Sequence, residues 1–304
     1  MDTPILFWII FNAFVLLMLA LDLGVFHRKN HEVSLKEALT WTAIWVFLAM
    51  VFNTILYFWR GQQQALEFFT GYLIEKALSV DNIFVFIMIF SYFQVPTKYQ
   101  HKVLFWGILG ALIMRVIFIF AGVALIEKFH FTIYIFGALL IYTGFKMFNH
   151  SGTKIEPDKN PIIKFFKKIM PVTSTLHDDK FFVKLDGQSF ATPLFLVLIL
   201  IETTDLIFAV DSIPAILAIT QDQFIVYTSN VFAILGLRSL YFALAGVVHR
   251  FWLLSYGLAI VLVFVGLKML LIDIYKIPIE MSLAFIALTI TSSVILSLKI
   301  VRKE

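Results

Sequence analysis

Two short stretches of this sequence set oxygen-bearing side chains into long apolar surroundings. The first carries Glu75, Lys76, Ser79, Asp81 and Asn82, and the second carries Glu202, Thr203, Thr204, Asp205, Asp211 and Ser212. A charged carboxylate in hydrocarbon costs about 2.5–3.5 kcal/mol, so such residues are read first as functional ones. Apart from Lys76, the donors are carboxylate, carboxamide and hydroxyl oxygens, the set preferred by hard divalent cations such as Mg2+, Ca2+ and Mn2+. Zinc and copper favour imidazole or thiolate; the chain has no cysteine, and its histidines at 27, 31, 101, 130, 150, 177 and 249 fall in loops or at the ends of apolar runs.

Helical spacing sorts these residues. At 3.6 residues per turn Glu75 shares a face with Asn82, and Glu202 shares one with Asp205, whereas Asp81 and Asp211 point away from those faces on an unbroken helix. Either there are two sites or the helices break. Pro214 removes the hydrogen bond to the carbonyl of Val210, so unwinding is expected beside Asp211. Arg115, Arg238 and Lys76 are the candidate counter-charges, with structural ion pairing as their alternative role. With Asp22 as a possible accessory member near the end of the first apolar run, the acids outnumber these cations. Buried carboxylates can also exchange a metal for protons, a chemical route to metal and proton antiport.

The elements that must hold these groups are membrane spans. With 61% apolar residues, 34 Phe and 14% charged residues, the chain cannot present a water-soluble surface. Nine apolar runs of roughly bilayer length are expected as helices, at Ile5–Val25, Leu39–Trp59, Phe68–Phe93, Val103–Ile126, Phe131–Phe148, Thr192–Ile219, Phe224–Val248, Leu253–Ile274 and Met281–Ile300. The first is preceded by Asp2 and followed by Arg28 and Lys29, the reverse of a cleavable signal, and is expected to remain as a span. Basic residues crowd the connections after spans one, three, five and seven and the C-terminus: Lys98, Lys102, the lysines from 154 to 184, Arg250 and Lys303. The positive-inside rule then puts the N-terminus outside and the C-terminus in the cytoplasm. The net charge of +4 needs no nucleic-acid partner, and the lipid bilayer is the first partner expected.

An internal repeat organises the spans. Asp81-x-Ile-Phe matches Asp205-x-Ile-Phe and Ala121-Gly122 matches Ala245-Gly246 at one offset, and Arg115 has a near counterpart in Arg238. Tyr134 with Gly144-Phe145-Lys146-Met147 matches Tyr256 with Gly266-Leu267-Lys268-Met269 at almost the same offset. Each copy holds three spans, so the second must run through the membrane in the opposite sense, an arrangement typical of secondary transporters. The expected domains are residues 1–64 (spans one and two), 65–150 (repeat one), 151–190 (a cytoplasmic linker), 191–275 (repeat two) and 276–304 (last span and tail). In the linker, Ile162, Ile163, Phe165, Phe166, Ile169 and Met170 oppose Lys164, Lys167 and Lys168, the pattern of an interfacial helix, and Phe181 to Phe190 reads as a hairpin about Asp186-Gly187. The fold class expected is an all-α polytopic membrane protein with two inverted three-helix repeats.

The segments Thr70-Gly71-Tyr72-Leu73-Ile74-Glu75-Lys76-Ala77-Leu78-Ser79-Val80-Asp81-Asn82 and Glu202-Thr203-Thr204-Asp205-Leu206-Ile207-Phe208-Ala209-Val210-Asp211-Ser212-Ile213-Pro214-Ala215 resemble the TerC family of integral membrane proteins. The stretch from Ser229-Asn230 to Leu237-Arg238 is similar to that family as well, and within it the likeness is to a branch of manganese exporters. The resemblance implies a LysE-like transporter of a bacterial inner membrane, in a family implicated in manganese efflux, tellurite resistance and metal supply to exported proteins. It implies a metal path through Glu75, Asp81, Asn82, Glu202, Asp205, Asp211 and Ser212, with Arg115 and Arg238 as counter-charges. Some relatives carry a further cytoplasmic domain, and none is expected after Glu304.

The leading expectation is therefore Mn2+ export with the metal as cargo and no resident cofactor. Two alternatives stand beside it: a Ca2+ transporter of the same mechanism, and a metal-binding scaffold for secretion or tellurite resistance without transport. A homo-oligomer or a secretion-machinery partner is compatible with either. An enzyme is not expected, because the glycine that usually adjoins an aspartate of intramembrane aspartyl proteases is missing: Asn82 follows Asp81 and Leu206 follows Asp205.

Overall fold

The computed structural model describes residues 3–24, 33–149, 161–185 and 187–300. Arg28, Lys29, His150, Lys154, Lys159, Asp186 and Lys303 lie outside the described residues, as does the side chain of Asp22 in the last turn of the first helix.

The apolar runs fold as helices: α1 (Ile5–Gly24), α2 (Leu35–Arg60), α3 (Gln62–Tyr92), α4 (Thr97–Lys128), α5 (Thr132–Asn149), α7 (Pro193–Leu217), α8 (Gln223–Leu235), α9 (Leu237–Leu244), α10 (Leu254–Leu270) and α11 (Ile279–Lys299). Local chemistry sets several ends. The Ser34 hydroxyl accepts the Glu37 N–H at 3.2 Å to open α2, and the Asp222 carboxylate accepts the N–H groups of Phe224 and Ile225 at 3.0 and 3.2 Å to open α8. Gly61, at φ +96°, lets α2 turn directly into α3. Between α5 and α7 lie the short helix α6 (Pro161–Ile169) and an antiparallel hairpin of β1 (Phe182–Leu185) and β2 (Gln188–Ala191), with Gly187 at φ +79° in its turn.

α2, α4, α7 and α11 are each long and apolar enough to cross a bilayer, and α8 with α9, bent by 40° about Gly236, makes a fifth candidate. α1, α5 and α10 are apolar but shorter, and α3, though 31 residues long, carries Glu67, Glu75, Lys76 and Asp81. Phe47, Phe58, Ile117 and Leu288 are 62–81% exposed, which suits a protein solvated by hydrocarbon rather than water. The chain is an all-α integral membrane protein.

The helix axes differ from expectation at two places. α7 continues through Pro214 to Leu217 instead of unwinding beside Asp211. Pro214 falls in the last turn, where the helix loses one bond and little else. The seventh apolar run breaks instead at Gly236, where a methyl group would lie 2.8 Å from Lys76 Nζ and 3.1 Å from Trp45 Cβ.

At the centre, α3 packs against α7 and α8, and α4 packs against the same two helices, while α5 lies along α10. α8 is buried from Phe224 to Leu235, Thr228, Ser229 and Asn230 included. These four central helices position the polar residues.

Candidate functional site

Arg115 is 1% exposed at the meeting point of α3, α4, α7 and α8. Its Nη1 donates to the Glu75 carboxylate of α3, to Ser212 Oγ of α7 at 3.0 Å and to Asn230 Oδ1 of α8 at 3.1 Å. Its Nη2 donates to Asp205 Oδ1 of α7 at 3.4 Å. Two carboxamides extend the cluster: Asn230 Nδ2 donates to Glu75 Oε2 at 3.2 Å, and Asn82 Nδ2 to Asp205 Oδ1 at 3.5 Å.

The backbone explains this convergence. Glu75 and Asn82 stand two turns apart on α3, and Asp205 and Ser212 stand two turns apart on α7, so Glu75, Asp205 and Ser212 meet Arg115 of α4 while Asn82 reaches across to Asp205. A guanidinium offers donors in a planar fork and can hold acceptors from several helices at once. Removing one partner from such a buried network would leave a charge uncompensated, at a cost of about 3–5 kcal/mol.

Several oxygens remain unsatisfied by the protein. Glu202 Oε2, Asp205 Oδ2, Asn82 Oδ1 and Ser79 Oγ are buried without a hydrogen-bond partner. An unmet buried acceptor of this kind costs about 1–3 kcal/mol. Glu202 presses against α4 at Gly110, where a methyl group would fall 2.0 Å from Glu202 Oε1. A cavity of about 10 Å3, room for about one water, adjoins Asp205 between Phe86, Ile108 and Ile201. These four unmet oxygens, two of them from carboxylates, have the chemistry of hard-cation ligands, and the Arg115 Nε–H within the cluster is unmet as well.

Other candidates lie elsewhere. Asp81 Oδ1 accepts from Ser255 Oγ of α10 at 2.9 Å, and Asp211 Oδ1 accepts from Thr143 Oγ1 of α5 at 2.8 Å. Both carboxylates thus face the outer helices rather than Arg115. Lys76 Nζ donates to the Ala233 carbonyl at 3.2 Å, near the C-terminal end of α8, where the helix dipole favours a cation. Arg238, also buried, stands on α9 beside a small cavity with Trp41 and Trp45. Among the described residues, no three His, Asp or Glu side chains converge closely enough to hold a metal ion, because the central carboxylates meet a guanidinium instead of each other.

Residues 60–304 match the family described as "Integral membrane protein TerC family". The chain belongs to the TerC family. Among its relatives is the uncharacterized membrane protein STKORF319 of Myxococcus xanthus, 53% identical over 291 residues, which span 96% of this chain and 91% of that one. Another is Alx of Escherichia coli strain K12, provisionally described as a membrane-bound redox modulator, 49% identical over 294 residues, covering 93% of this chain and 91% of the relative. The Salmonella typhi protein of the same description is 48% identical over 300 residues, covering 95% and 93%. No solved structure matches the chain.

Within this TerC chain, residues not singled out by sequence reasoning complete the geometry. Asn230 bridges Glu75 and Arg115, and Thr143 and Ser255 hold the two outlying aspartates. Asn230 was readable as a carboxamide in an apolar run two helical turns before Arg238. The roles of Thr143 and Ser255 were not, since hydroxyl residues are common in membrane helices and show a partner only in three dimensions.

Proposed function

We propose that this TerC protein exports divalent metal ions, Mn2+ foremost, from the cytoplasm across a bacterial inner membrane, exchanging them for protons. The supporting observation is Arg115: one buried guanidinium pairs with both Glu75 of α3 and Asp205 of α7, a single positive charge shared between two carboxylates. An entering divalent cation would compete with that guanidinium for the same two carboxylates, with Asn82, Ser212 and Glu202 as further oxygen donors. When the metal leaves, Arg115 offsets one carboxylate charge and a proton the other. The metal is cargo in this reading; there is no enzymatic step and no resident cofactor.

Alternating access needs two comparable halves, and the packing supports that reading. Exchanging α3 with α7, α4 with α8 and α5 with α10 turns the α3–α8 contact into the α7–α4 contact. The glycine contacts behave likewise. Gly137 abuts the Gly266 carbonyl and Gly144 abuts the Ala259 carbonyl, and the offset that aligns Gly144 with Gly266 also aligns Gly137 with Ala259. One contact is carried into the other, as expected of inverted repeats that dock about a pseudo-two-fold axis, with α8 and α9 as a broken helix of the kind such transporters use. The nine apolar runs would then all cross, with the N-terminus outside and the C-terminus in the cytoplasm.

The description of the relatives as redox modulators bears on the cargo. With no cysteine, this chain cannot act by thiol–disulfide exchange. A redox effect would follow from control of a redox-active metal, which favours Mn2+ over Ca2+ among ions that accept oxygen ligands.

The test is Mn2+ uptake by inside-out vesicles or proteoliposomes, with and without an imposed pH gradient, for wild type, Glu75→Gln, Asp81→Asn and Asp205→Asn. Uptake that responds to the gradient and falls at least about 100-fold in Glu75→Gln and Asp205→Asn, the effect of about 2.7 kcal/mol, is the expected result. Absence of uptake by folded wild-type protein, with or without the gradient, sinks the carrier and leaves the scaffold.

A further inference from the structure

The linker between the two halves builds a cleft that the transport reading does not use. Its volume is about 480 Å3, and it lies where α3 ends at Phe93 and α7 begins at Pro193. Its lining mixes the apolar Phe93, Leu176 and Leu196 with Lys167, Ser174 and Thr175. Those boundaries mark the ends of long apolar helices, so the cleft opens at the level where hydrocarbon gives way to headgroups.

The cleft is shaped by its supports. Lys102 Nζ holds the Asp179 carbonyl at 2.7 Å and its carboxylate at 3.0 Å, fixing the linker to α4. Tyr99 donates to Asp178 at 3.4 Å, and the Thr192 hydroxyl to the Lys180 carbonyl at 2.7 Å. Thr173 Oγ1 donates to the Thr175 carbonyl at 2.9 Å, holding the hydroxyl-bearing segment in a tight turn.

α6, which carries Lys167, is seated rather than loose. Ile163 is buried, and the Phe166 ring packs edge-on to Phe195 of α7 at 5.9 Å. Yet Phe165 and Ile169 are 60% and 63% exposed next to Lys164 and Lys168, also exposed. A helix that shows both phenyl and ammonium groups at a membrane boundary is suited to the interface, where the rings enter the acyl region and the lysines meet phosphates. Lys164, Lys168, Lys180 and Lys184 are exposed at this end, so among the described residues basic side chains outnumber the nearby acids Asp178, which accepts from Tyr99, and Asp179, which pairs with Lys102.

From this we infer that the cleft is a binding site for an anionic phospholipid, its phosphate against Lys167, Ser174 and Thr175 and the upper part of an acyl chain along Phe93, Leu176 and Leu196. A ligand here must be amphipathic, since the lining mixes apolar and polar side chains at the ends of two apolar helices, and a negative polar end suits Lys167. The cleft has the capacity of an ordinary small-ligand pocket. A bound lipid would join α6 to the ends of α3 and α7.

The test uses the full chain in vesicles with equal amounts of phosphatidylglycerol and phosphatidylcholine, reading by native mass spectrometry the lipid that stays bound after extraction. Wild type is expected to retain phosphatidylglycerol in preference. Lys167→Ala should lower that retention about five-fold, one lysine's share at an anionic surface, and Lys167→Arg should preserve it. Thr175→Trp, at an exposed position on the rim, should exclude both lipids, while Lys98→Ala should behave as wild type. Equal retention of the two lipids by wild type, undiminished retention in Lys167→Ala and Thr175→Trp, or loss in Lys167→Arg equal to that in Lys167→Ala would each overturn the assignment.

Discussion

Gly137 of α5 and Gly266 of α10 meet backbone to backbone. A methyl group on Gly137 would lie 2.9 Å from the Gly266 carbonyl oxygen, and one on Gly266 would lie 2.7 Å from the Gly137 carbonyl oxygen. Close approach through small residues is how helices associate where no hydrophobic effect separates them from lipid. Neither neighbour is the flexible end of a side chain, so the helices themselves must move apart. Gly266→Ala is expected to destabilise the protein by about 1–3 kcal/mol through overpacking. Gly246→Ala provides the control, since a methyl group there meets nothing within 4 Å. Thermal unfolding in detergent should show a lowered midpoint for the first and little change for the second.

Arg115 makes a sharper prediction, because it pairs with two buried carboxylates at once. Arg115→Leu should cost about 3–5 kcal/mol by leaving Glu75 and Asp205 uncompensated. Adding Glu75→Gln removes one of those charges, so the double variant should recover part of the loss, and the four proteins form a double-mutant cycle. Coupling of less than about 0.5 kcal/mol in that cycle would contradict the geometry. Stability and metal transport should separate here: the double variant regains stability but not uptake.

The helical period accounts for part of the site. It groups Glu75 with Asn82 and turns Asp81 aside, and in the structure Asn82 reaches Asp205 while Asp81 reaches Ser255. Period alone does not supply partners. That Arg115 reaches both halves depends on α4 lying against α7 and α8, a tertiary fact with no local signature. The proline rule misplaced the helix break, because Pro214 in a last turn costs one hydrogen bond, whereas Gly236 yields to crowding by Lys76 and Trp45 that only packing reveals. α3 falls short of a simple apolar span for a related reason: the charges that make it interesting lower its hydropathy.

The outlying aspartates allow a test of whether their single hydroxyl partners matter. Thr143 donates to Asp211 and Ser255 to Asp81, each by one neutral hydrogen bond. Thr143→Val and Ser255→Ala leave a half-buried carboxylate oxygen without that donor, at about 1 kcal/mol each. Because the two sites share no partner, the double variant should lose the sum of the single losses to within about 0.5 kcal/mol. A stability series by denaturant or heat decides it, and a large departure from additivity would mean that the two sites communicate through α5 and α10.

A further prediction concerns acid sensitivity at the loop after α10. Asp273 Oδ2 accepts from the Tyr134 hydroxyl at 2.5 Å and lies 2.8 Å from His130 Nε2, so it ties that loop to the start of α5. These hydrogen bonds, Tyr134 first and His130 second, hold the Asp273 carboxyl below its ordinary range. For a carboxylate depressed in this way, the folded state binds the proton less readily than the unfolded chain does. Its contribution to stability is present above the unfolded value, near pH 4, and is lost as pH falls through the lower folded value. The group is solvent-exposed, so the effect is local rather than global. Hydrogen exchange of the loop, followed from about pH 6 down to about pH 3 after correction for intrinsic rates, should show protection falling in wild type. In Asp273→Asn protection should start lower and stay level. An equal fall in both proteins would show that the clasp is not the group being titrated.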